Sequence, residues 1–203
     1  MNRIEIKEEA KQLTARYFSQ FWKSFLIIFA STLVLTALLG IFFGGSFAFI
    51  IQMLLLPLYI GYTGYILKLV RGEEAVIADI FQSYKNIGLI LLTTAISYVT
   101  VVCGYLLLII PGIILTYSYV MVGYLLADMN DNNVTNASSI LRKSQEMMNG
   151  YKFDYFIFQL SFIGWQILCA ITFGIAYIYV IPYFTFANIV YYEKLKELRR
   201  ISN

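Results

Sequence analysis

Three long stretches of the chain contain no charged residue, and apolar side chains dominate each of them. They run from Ser24 to Leu67, from Asn86 to Ala127 and from Tyr155 to Tyr192. A membrane-spanning helix needs about 20 apolar residues, so each stretch is too long for one span and suits two spans joined by a tight turn. Helix-breaking residues lie near the middle of the stretches, at Gly44-Gly45-Ser46, Pro111-Gly112 and Thr172-Phe173-Gly174. The pattern therefore predicts three helical hairpins.

The predicted fold is an all-α, polytopic membrane protein with six transmembrane helices. The spans are predicted at approximately residues 23–43, 47–70, 87–109, 112–128, 154–171 and 175–194. Pro57 and Pro182 lie inside the second and sixth spans and should kink them, which neighbouring helices can accommodate. Residues 1–203 form a single integral membrane domain, with hairpin units at approximately 1–71, 72–130 and 131–203.

A short amphipathic segment on the cytoplasmic side precedes each hairpin. In the first segment, apolar positions recur three or four residues apart, as on one face of a helix. The three apolar stripes are Ile6, Ala10, Leu13, Tyr17 and Phe21; Ile77, Ile80, Phe81 and Tyr84; and Ala137, Ile140, Leu141, Ser144, Met147 and Met148. Such helices either hold lipid headgroups or a partner, or only cover the inner ends of the spans. True duplication and similar physical demands on each hairpin both remain open as the origin of the pattern.

Composition agrees with a membrane protein. Hydrophobic residues make up 60% of the 203 residues and charged residues only 13%, whereas about a quarter of an ordinary soluble domain is charged. The mean hydropathy is +0.71. These values exclude an ordinary soluble fold and a disordered chain. The absence of histidine excludes imidazole catalysis and histidine metal sites, and the net charge of +3 does not indicate a nucleic-acid binder.

The basic residues predict the orientation of the spans. All 15 lysines and arginines lie outside the charge-free stretches. With six spans they fall before the first, between the second and third, between the fourth and fifth, and after the sixth. Every one of them is then on the same membrane face, so the positive-inside rule predicts that both termini are cytoplasmic.

Charged residues at this cytoplasmic edge form the candidate functional cluster. They are Arg71, Glu73, Asp128, Lys152 and Asp154. Arg71 and Glu73 could pair as a structural cap, and the two aspartates could equally be solvated helix ends. No charged residue lies in the interior of a predicted span, near the bilayer midplane, where a coupled transporter usually keeps one. Because the chain also lacks a catalytic constellation, a glycine-rich phosphate loop and a metal-binding spacing, we expect no enzyme activity and no cofactor.

A second group of residues predicts helix packing in the last hairpin. Ser161 lies one helical turn before Gly164 and Trp165, which predicts close packing in span five, and Gly174 follows Ala170 at the spacing of a small-xxx-small motif. The complete predicted motif is Ser161, Gly164, Trp165, Gly174, Pro182 and Tyr183.

Several segments of the chain resemble the DUF975 family of bacterial integral membrane proteins. These segments are Met1–Lys7 with Ala10-Lys11, Leu58–Tyr62, Arg71–Glu73, Ile109–Ile114, Ser144–Gly150 with Lys152, Leu160–Trp165, Thr172–Ile175 and Pro182-Tyr183. The resemblance covers nearly the whole chain, and the run Ser161–Trp165 is its most specific part. It implies a multi-pass protein of the bacterial cytoplasmic membrane, commonly in Gram-positive bacteria, for which no biochemical activity is agreed.

Two functions fit these observations. The first is a non-enzymatic integral membrane protein that binds lipid or a membrane partner as a scaffold, accessory subunit or envelope-protection factor. The charge-free spans and the amphipathic segments favour it. The alternative is a small transporter or exporter of a lipid-like or peptide substrate, with a cavity lined by tyrosine and threonine. The expected partners are membrane lipids, with another membrane protein or a membrane-active peptide as further candidates, and no nucleic acid. The sequence leaves the oligomeric state open.

Overall fold

Helices dominate the computed structural model, which describes residues 2–43, 48–129 and 136–201. Within these ranges the chain is all-helical and forms no strand. In chain order the elements are α1 (Arg3–Phe43), α2 (Ala48–Arg71), a 3₁₀ helix (Ile77–Asn86), α3 (Ile87–Leu107), α4 (Ile109–Tyr119), α5 (Val122–Ala127), α6 (Ala137–Met148), α7 (Lys152–Leu160), α8 (Ile163–Ile171) and α9 (Tyr177–Ile201).

α1 is a single continuous helix, although the sequence predicted an amphipathic segment and then a separate span from residue 23. It contains 41 residues, or about 60 Å at 1.5 Å per residue. No proline interrupts it and its first glycine is Gly40, so nothing in the backbone favours a break at Lys23. α1 packs against both α9 and α2.

The predicted apolar stripe in the first half of α1 is its buried face. Ile6, Ala10 and Phe21 are buried, and the ring centroid of Phe21 lies 5.9 Å from that of Phe186 in α9. The stripe therefore packs against protein.

The other two amphipathic segments differ in how completely they are buried. In the 3₁₀ helix Ile80 is buried, whereas Ile77 and Phe81 are exposed. In α6 all six residues of the predicted stripe are buried. A 3₁₀ helix places residues i and i+3 in line, so its apolar side chains do not form the broad face that α6 presents.

The turn of the second hairpin lies earlier than predicted. Only Leu108 separates α3 from α4, and its backbone is extended (φ −163°, ψ 152°). Pro111 and Gly112, predicted as the turn, lie instead in the first turn of α4. Proline is tolerated there because the N–H that it lacks would have no helical partner. Gly112 allows the two helices to approach closely, since a Cβ added at Gly104 would lie 3.2 Å from the Cα of Gly112.

Two predicted spans are interrupted. The span predicted at 112–128 is divided into α4 and α5, and the span predicted at 154–171 is divided into α7 and α8. At the second break the Ser161 hydroxyl donates to the Phe158 carbonyl at 2.5 Å. A serine hydroxyl that binds the backbone in this way competes with helical hydrogen bonding.

The turn predicted at Thr172-Phe173-Gly174 is present between α8 and α9. Phe173 and Gly174 both have positive φ angles, 50° and 91°, a region that glycine enters at low cost. The Phe173 side chain is 98% exposed at the tip. The turn predicted at Gly44-Gly45-Ser46 lies outside the described residues.

Among the described residues, five helical segments are long and apolar enough to cross a membrane, by length and composition. They are Arg3–Leu38, Gln52–Arg71, Ile77–Leu107, Ile109–Ala127 and Lys152–Ile171. Such helices are compatible with a membrane-embedded protein, but the sixth predicted span, at 175–194, is not among them. α9 contains that segment from Tyr177 onward, which includes Pro182, Asn188 and several tyrosines and becomes charged at Glu193. The six-span arrangement is therefore not confirmed.

An aromatic core lies where α1, α7, α8 and α9 meet. Its fully buried rings are those of Phe21, Phe158, Phe162, Phe186, Tyr191 and Tyr192. Phe158 and Phe162 pack edge to face at 5.3 Å, a favourable geometry for aromatic pairs. By contrast, residues 106–110 at the tip of the second hairpin are each between 69% and 80% exposed. Contiguous apolar exposure of this kind marks an interaction surface.

Candidate functional site

Arg71, the last residue of α2, lies at the centre of a network of charged side chains. Its Nη1 is 2.9 Å from Asp128 Oδ1, and its Nη2 is 2.7 Å from Glu193 Oε1. The other oxygen of Asp128 accepts hydrogen bonds from Lys196 Nζ and from the Tyr192 hydroxyl, the latter at 2.9 Å. Asp128 is therefore bound by three donors. We call these five residues the charge network.

The end of α2 holds Arg71 in place. Gly72 has a φ of +72°, and the N–H of Glu73 donates to the carbonyl of Lys68 at 2.9 Å while the N–H of Gly72 donates to the carbonyl of Leu69. These two bonds form a Schellman motif, in which a left-handed glycine closes the helix. The backbone of Arg71 is thereby fixed, and its side chain points toward the neighbouring helices.

Most of the network is shielded from solvent. Asp128 is 5% exposed and Lys196 is 9% exposed. Burial opposes ionisation of Asp128, but the hydrogen bonds and charges of Arg71 and Lys196, with a hydrogen bond from Tyr192, outweigh it and hold the pKa of the carboxyl below its ordinary value. Asp128 is therefore a fixed negative charge at neutral pH.

The charge network joins all three predicted hairpin units. Arg71 belongs to the first unit, Asp128 follows α5 in the second, and α9 of the third supplies the remaining residues. Removing one partner from a buried ion pair costs far more folding free energy than the intact pair contributes. The network therefore favours one relative placement of the three units.

A separate group of polar contacts joins α7 to α9. The Tyr191 hydroxyl donates to Asp154 Oδ2 at 3.1 Å, and Arg3 Nε lies 3.5 Å from Asp154 Oδ1. One turn further along, the Tyr155 hydroxyl donates to Asn188 Oδ1 at 2.8 Å. These contacts are helix-to-helix bonds of the kind that polar residues make in packed bundles.

The charge network contains two of the five predicted edge residues, Arg71 and Asp128, and Glu73 lies in the wall of the same cavity as both. Glu73 is exposed, and its carboxylate forms no ion pair with any described residue, so the predicted Arg71–Glu73 cap does not form. Lys152 also lacks an ion-pair partner in the described part of the chain. Asp154 belongs to the separate contacts between α7 and α9.

Sequence reasoning missed Tyr192, Glu193 and Lys196, which it placed at or beyond the end of the sixth span. A signal was available in their spacing. Ile189, Tyr192 and Lys196 recur at intervals of three and four residues, so they share one helix face. That face is buried, with Ile189 at 1% and Tyr192 at 0% exposure. A lysine that continues an apolar stripe indicates a buried partner of opposite charge.

The predicted packing motif is only partly packed. The Trp165 ring lies 5.7 Å from the ring of Tyr183, between α8 and α9. Gly164 is exposed, and a Cβ added there would meet no described atom within 4 Å. Ser161 is exposed as well. The prediction of close packing at Gly164 is therefore wrong, because this face of the helix turns away from the other described helices.

The remaining members of that motif have other surroundings. Pro182 is buried inside α9, and Gly174 occupies the turn before α9. The close approach occurs elsewhere, at Gly61 of α2. A Cβ there would lie 1.8 Å from the carbonyl oxygen of Ile80, so only glycine allows the 3₁₀ helix to pack against α2.

A cavity of about 330 Å³ adjoins the charge network. Arg71 and Asp128 form part of its wall, and the 3₁₀ helix and its flank add polar side chains. Lys68 Nζ lies 2.9 Å from Asp79 Oδ2, while Lys85 forms no ion pair within the described ranges. The wall therefore presents both ammonium groups and the carboxylates of Glu73, Asp79 and Asp128 to a small polar ligand.

A second cavity, of about 520 Å³, lies between α1 and the end of α2. Its wall consists of residues from 17–24 and from 65–77. Both cavities therefore lie at the charged ends of the helices. Among the described residues, no group of three or more histidines, cysteines, aspartates and glutamates is placed to hold a metal ion.

Comparison with known protein families identifies the family to which this chain belongs. A family model described as "Protein of unknown function (DUF975)" matches residues 94–199, just over half of the chain. The matched region contains every residue of the charge network except Arg71. No curated protein and no solved structure matches the chain.

Proposed function

Because this chain belongs to the DUF975 family, whose function is unknown, we propose a function from its own geometry. This protein is a non-enzymatic integral membrane protein that acts as a scaffold and binds phospholipid headgroups in the cavity beside Arg71. One observation carries the proposal: a polar cavity with ammonium groups in its wall lies at the charged ends of apolar helices.

The cavity wall holds three cations and three carboxylates, and the two lysines among the cations suit a phosphate group. Lys85 lines it and forms no ion pair with a described residue. The ammonium group of Lys68 has three N–H donors and directs one of them to Asp79. Charge-assisted hydrogen bonds from such groups to phosphate oxygens are among the strong ones. Leu126 and Met129 add apolar wall for the first carbons of an acyl chain.

The membrane placement is part of the same proposal. The charged helix ends face the cytoplasm, as the positive-inside rule requires for a chain whose basic residues all lie on one face. The membrane is the bacterial cytoplasmic membrane, and it is crossed more than once. Membrane lipids are therefore the partners, with a second membrane protein or a membrane-active peptide as an additional one.

The position of the cavities supports binding rather than transport. A transport path has to continue from one membrane face to the other. The two cavities are lined by residues 17–24, 61–86 and 126–129, which extend from the charged helix ends to the middle of α2, and neither lining includes the exposed tip at 106–110. A headgroup site needs only the charged edge.

Native mass spectrometry tests the lipid site. The protein is released from detergent micelles after incubation with phosphatidylglycerol, and the fraction that retains lipid is measured. Lys85→Gln is expected to weaken retention about tenfold, since a hydrogen bond to a charged group contributes about 1.5–3 kcal/mol.

Lys152→Gln is the matched control, because Lys152 is also a lysine at the start of an apolar helix and lacks an ion-pair partner among the described residues, but it lies outside the cavity wall. It is expected to leave retention unchanged. Equal retention by the parent and both variants would contradict the cavity as the lipid site. No retained lipid in the parent would contradict the function.

A further inference from the structure

Six charged residues line the cavity beside the charge network, three of each sign. Four of them are paired within the protein: Lys68 Nζ lies 2.9 Å from Asp79 Oδ2, and Arg71 Nη1 lies 2.9 Å from Asp128 Oδ1. Because these four charges neutralise one another, they contribute little net charge toward a ligand. The remaining two members of the wall therefore decide which charges a ligand needs.

Glu73 and Lys85 are those two residues, and they carry opposite charges. Both line the same cavity of about 330 Å³, and neither forms an ion pair with a described residue. Their side chains are exposed, so a ligand can reach both of them. A ligand that carries one anionic and one cationic group can therefore neutralise both charges of the wall at once.

Backbone and side-chain hydrogen bonds hold both residues in place. The N–H of Glu73 donates to the carbonyl of Lys68 at 2.9 Å, in the Schellman motif that ends α2. Lys85 lies in the last turn of the 3₁₀ helix. The residue before it, Tyr84, donates its hydroxyl to the carbonyl of Leu54 in α2 at 3.0 Å. Both charges are thus attached to α2, so the spacing of their backbones is set before a ligand binds.

We infer that the cavity takes the headgroup of phosphatidylethanolamine, with the phosphate at Lys85 and the primary ammonium group at Glu73. The inference rests on the proposed lipid site and names the headgroup that this site selects. A primary ammonium group has three N–H donors and a carboxylate only accepts, so the two form charge-assisted hydrogen bonds. Asn86 lies beside Lys85 in the wall, and its side-chain amide adds N–H donors for the phosphate oxygens.

Two other phospholipid headgroups suit the wall less well. Phosphatidylglycerol carries no cation, so the Glu73 carboxylate would repel its phosphate without compensation. Choline carries a quaternary ammonium group without N–H donors, which proteins recognise with cages of aromatic rings. The described wall contains the ring of Tyr65 as its only aromatic side chain. The primary ammonium group of ethanolamine is therefore the cation that this wall binds best.

Competition between two lipids in native mass spectrometry tests the inference. The protein is incubated with equal amounts of phosphatidylethanolamine and phosphatidylglycerol that carry the same acyl chains, and the ratio of the retained lipids is measured. The parent is expected to retain about fivefold more phosphatidylethanolamine, which corresponds to an exposed ion pair of about 1 kcal/mol. Glu73→Gln is expected to abolish this preference and Glu73→Lys to reverse it. A loss of stability would lower the retention of both lipids and leave their ratio unchanged.

Glu74→Gln is the matched control, because Glu74 is also an exposed glutamate in the loop after α2 but does not line this cavity. It is expected to keep the preference of the parent. A ratio near one in the parent, or the same preference in the parent and both Glu73 variants, would overturn the inference and leave the lipid site standing. Retention of neither lipid by the parent would instead contradict the proposed function.

A soluble ligand with the same two charged groups is distinguished by a further arm of this experiment. Free phosphoethanolamine has the phosphate and the primary ammonium group but no acyl chain. Leu126 and Met129 in the wall favour the lipid, so an equal concentration of the free compound is expected to leave phosphatidylethanolamine bound. Displacement of the lipid under these conditions would overturn the assignment to a membrane lipid.

Discussion

Replacing Gly61 with leucine is expected to prevent stable folding of this protein in detergent. The Cβ of any side chain at residue 61 would lie 1.8 Å from the carbonyl oxygen of Ile80, and this oxygen belongs to the backbone of the 3₁₀ helix. A backbone atom cannot rotate away as a flexible side chain does, so the helices must separate. Overpacking typically costs about 1–3 kcal/mol, and this contact should reach or exceed the upper value. Thermal unfolding and the yield of monodisperse protein measure the effect.

Gly164→Leu is the matched control for this substitution. Gly164 is also a helical glycine, but a Cβ there would meet no described atom within 4 Å. Its unfolding temperature is expected to equal that of the parent. Equal unfolding temperatures for Gly61→Leu and the parent would show that α2 and the 3₁₀ helix do not pack as described. A large loss for Gly164→Leu would instead indicate that a second molecule covers this face.

Asp128→Asn is expected to lower the free energy of unfolding by about 3–5 kcal/mol, the usual effect of removing one partner from a buried ion pair. The change preserves the shape of the side chain and removes the negative charge that Arg71 and Lys196 share. Both cations would then be held in a poorly solvated site with less compensation. Chemical unfolding in detergent, followed by tryptophan fluorescence, measures the loss.

Glu146→Gln serves as the control for that experiment. Glu146 pairs with Arg142 one turn away on α6, and both side chains are mostly exposed. Exposed pairs of this kind contribute about 0.3–0.5 kcal/mol, so the free energy of unfolding should hardly change. Similar effects for Asp128→Asn and Glu146→Gln would mean that the charge network does not hold the three units together.

The stability of the protein is also expected to fall in acid because of Asp128. The folded state holds the pKa of this carboxyl below its ordinary value of 3.8. The carboxylate therefore stabilises the fold above that value, and the contribution is lost as the pH falls through the lower, folded pKa. Unfolding temperatures measured from pH 6 down to pH 2.5 should decrease less steeply for Asp128→Asn than for the parent. Parallel curves would contradict this assignment.

The membrane class of this protein could be predicted from the sequence, because it depends on local properties. Charged side chains avoid hydrocarbon, so long charge-free stretches mark apolar helices, and five such helices are present among the described residues. Local periodicity likewise predicted the buried face of α6, from Ala137 to Met148, and helix-breaking residues predicted the turn at Thr172-Phe173-Gly174. A helix exposes the same side chains on one face wherever it is placed, so these features needed no knowledge of its neighbours.

The charge network could not be predicted from such local properties. Arg71 and Asp128 were recognisable as edge charges, but their positions in the sequence do not reveal that they bind each other. Glu193 and Lys196 looked like solvated residues at and beyond the end of the sixth span, whereas the packing of α9 places them against Arg71 and Asp128. Partners so distant in the chain are chosen by helix packing.

Tertiary structure also decided which glycine matters and how the last helices are placed. Gly61 and Gly164 are both glycines in apolar helices, and only the neighbour of Gly61 makes its missing side chain essential. Composition suggested a span at 175–194, yet the contact between Trp22 and Ile178 joins two residues that the six-span prediction had put at opposite faces. Hydropathy measures only how favourable it is for a segment to lie in lipid. The depth and direction of the segment are set by the side chains that it meets.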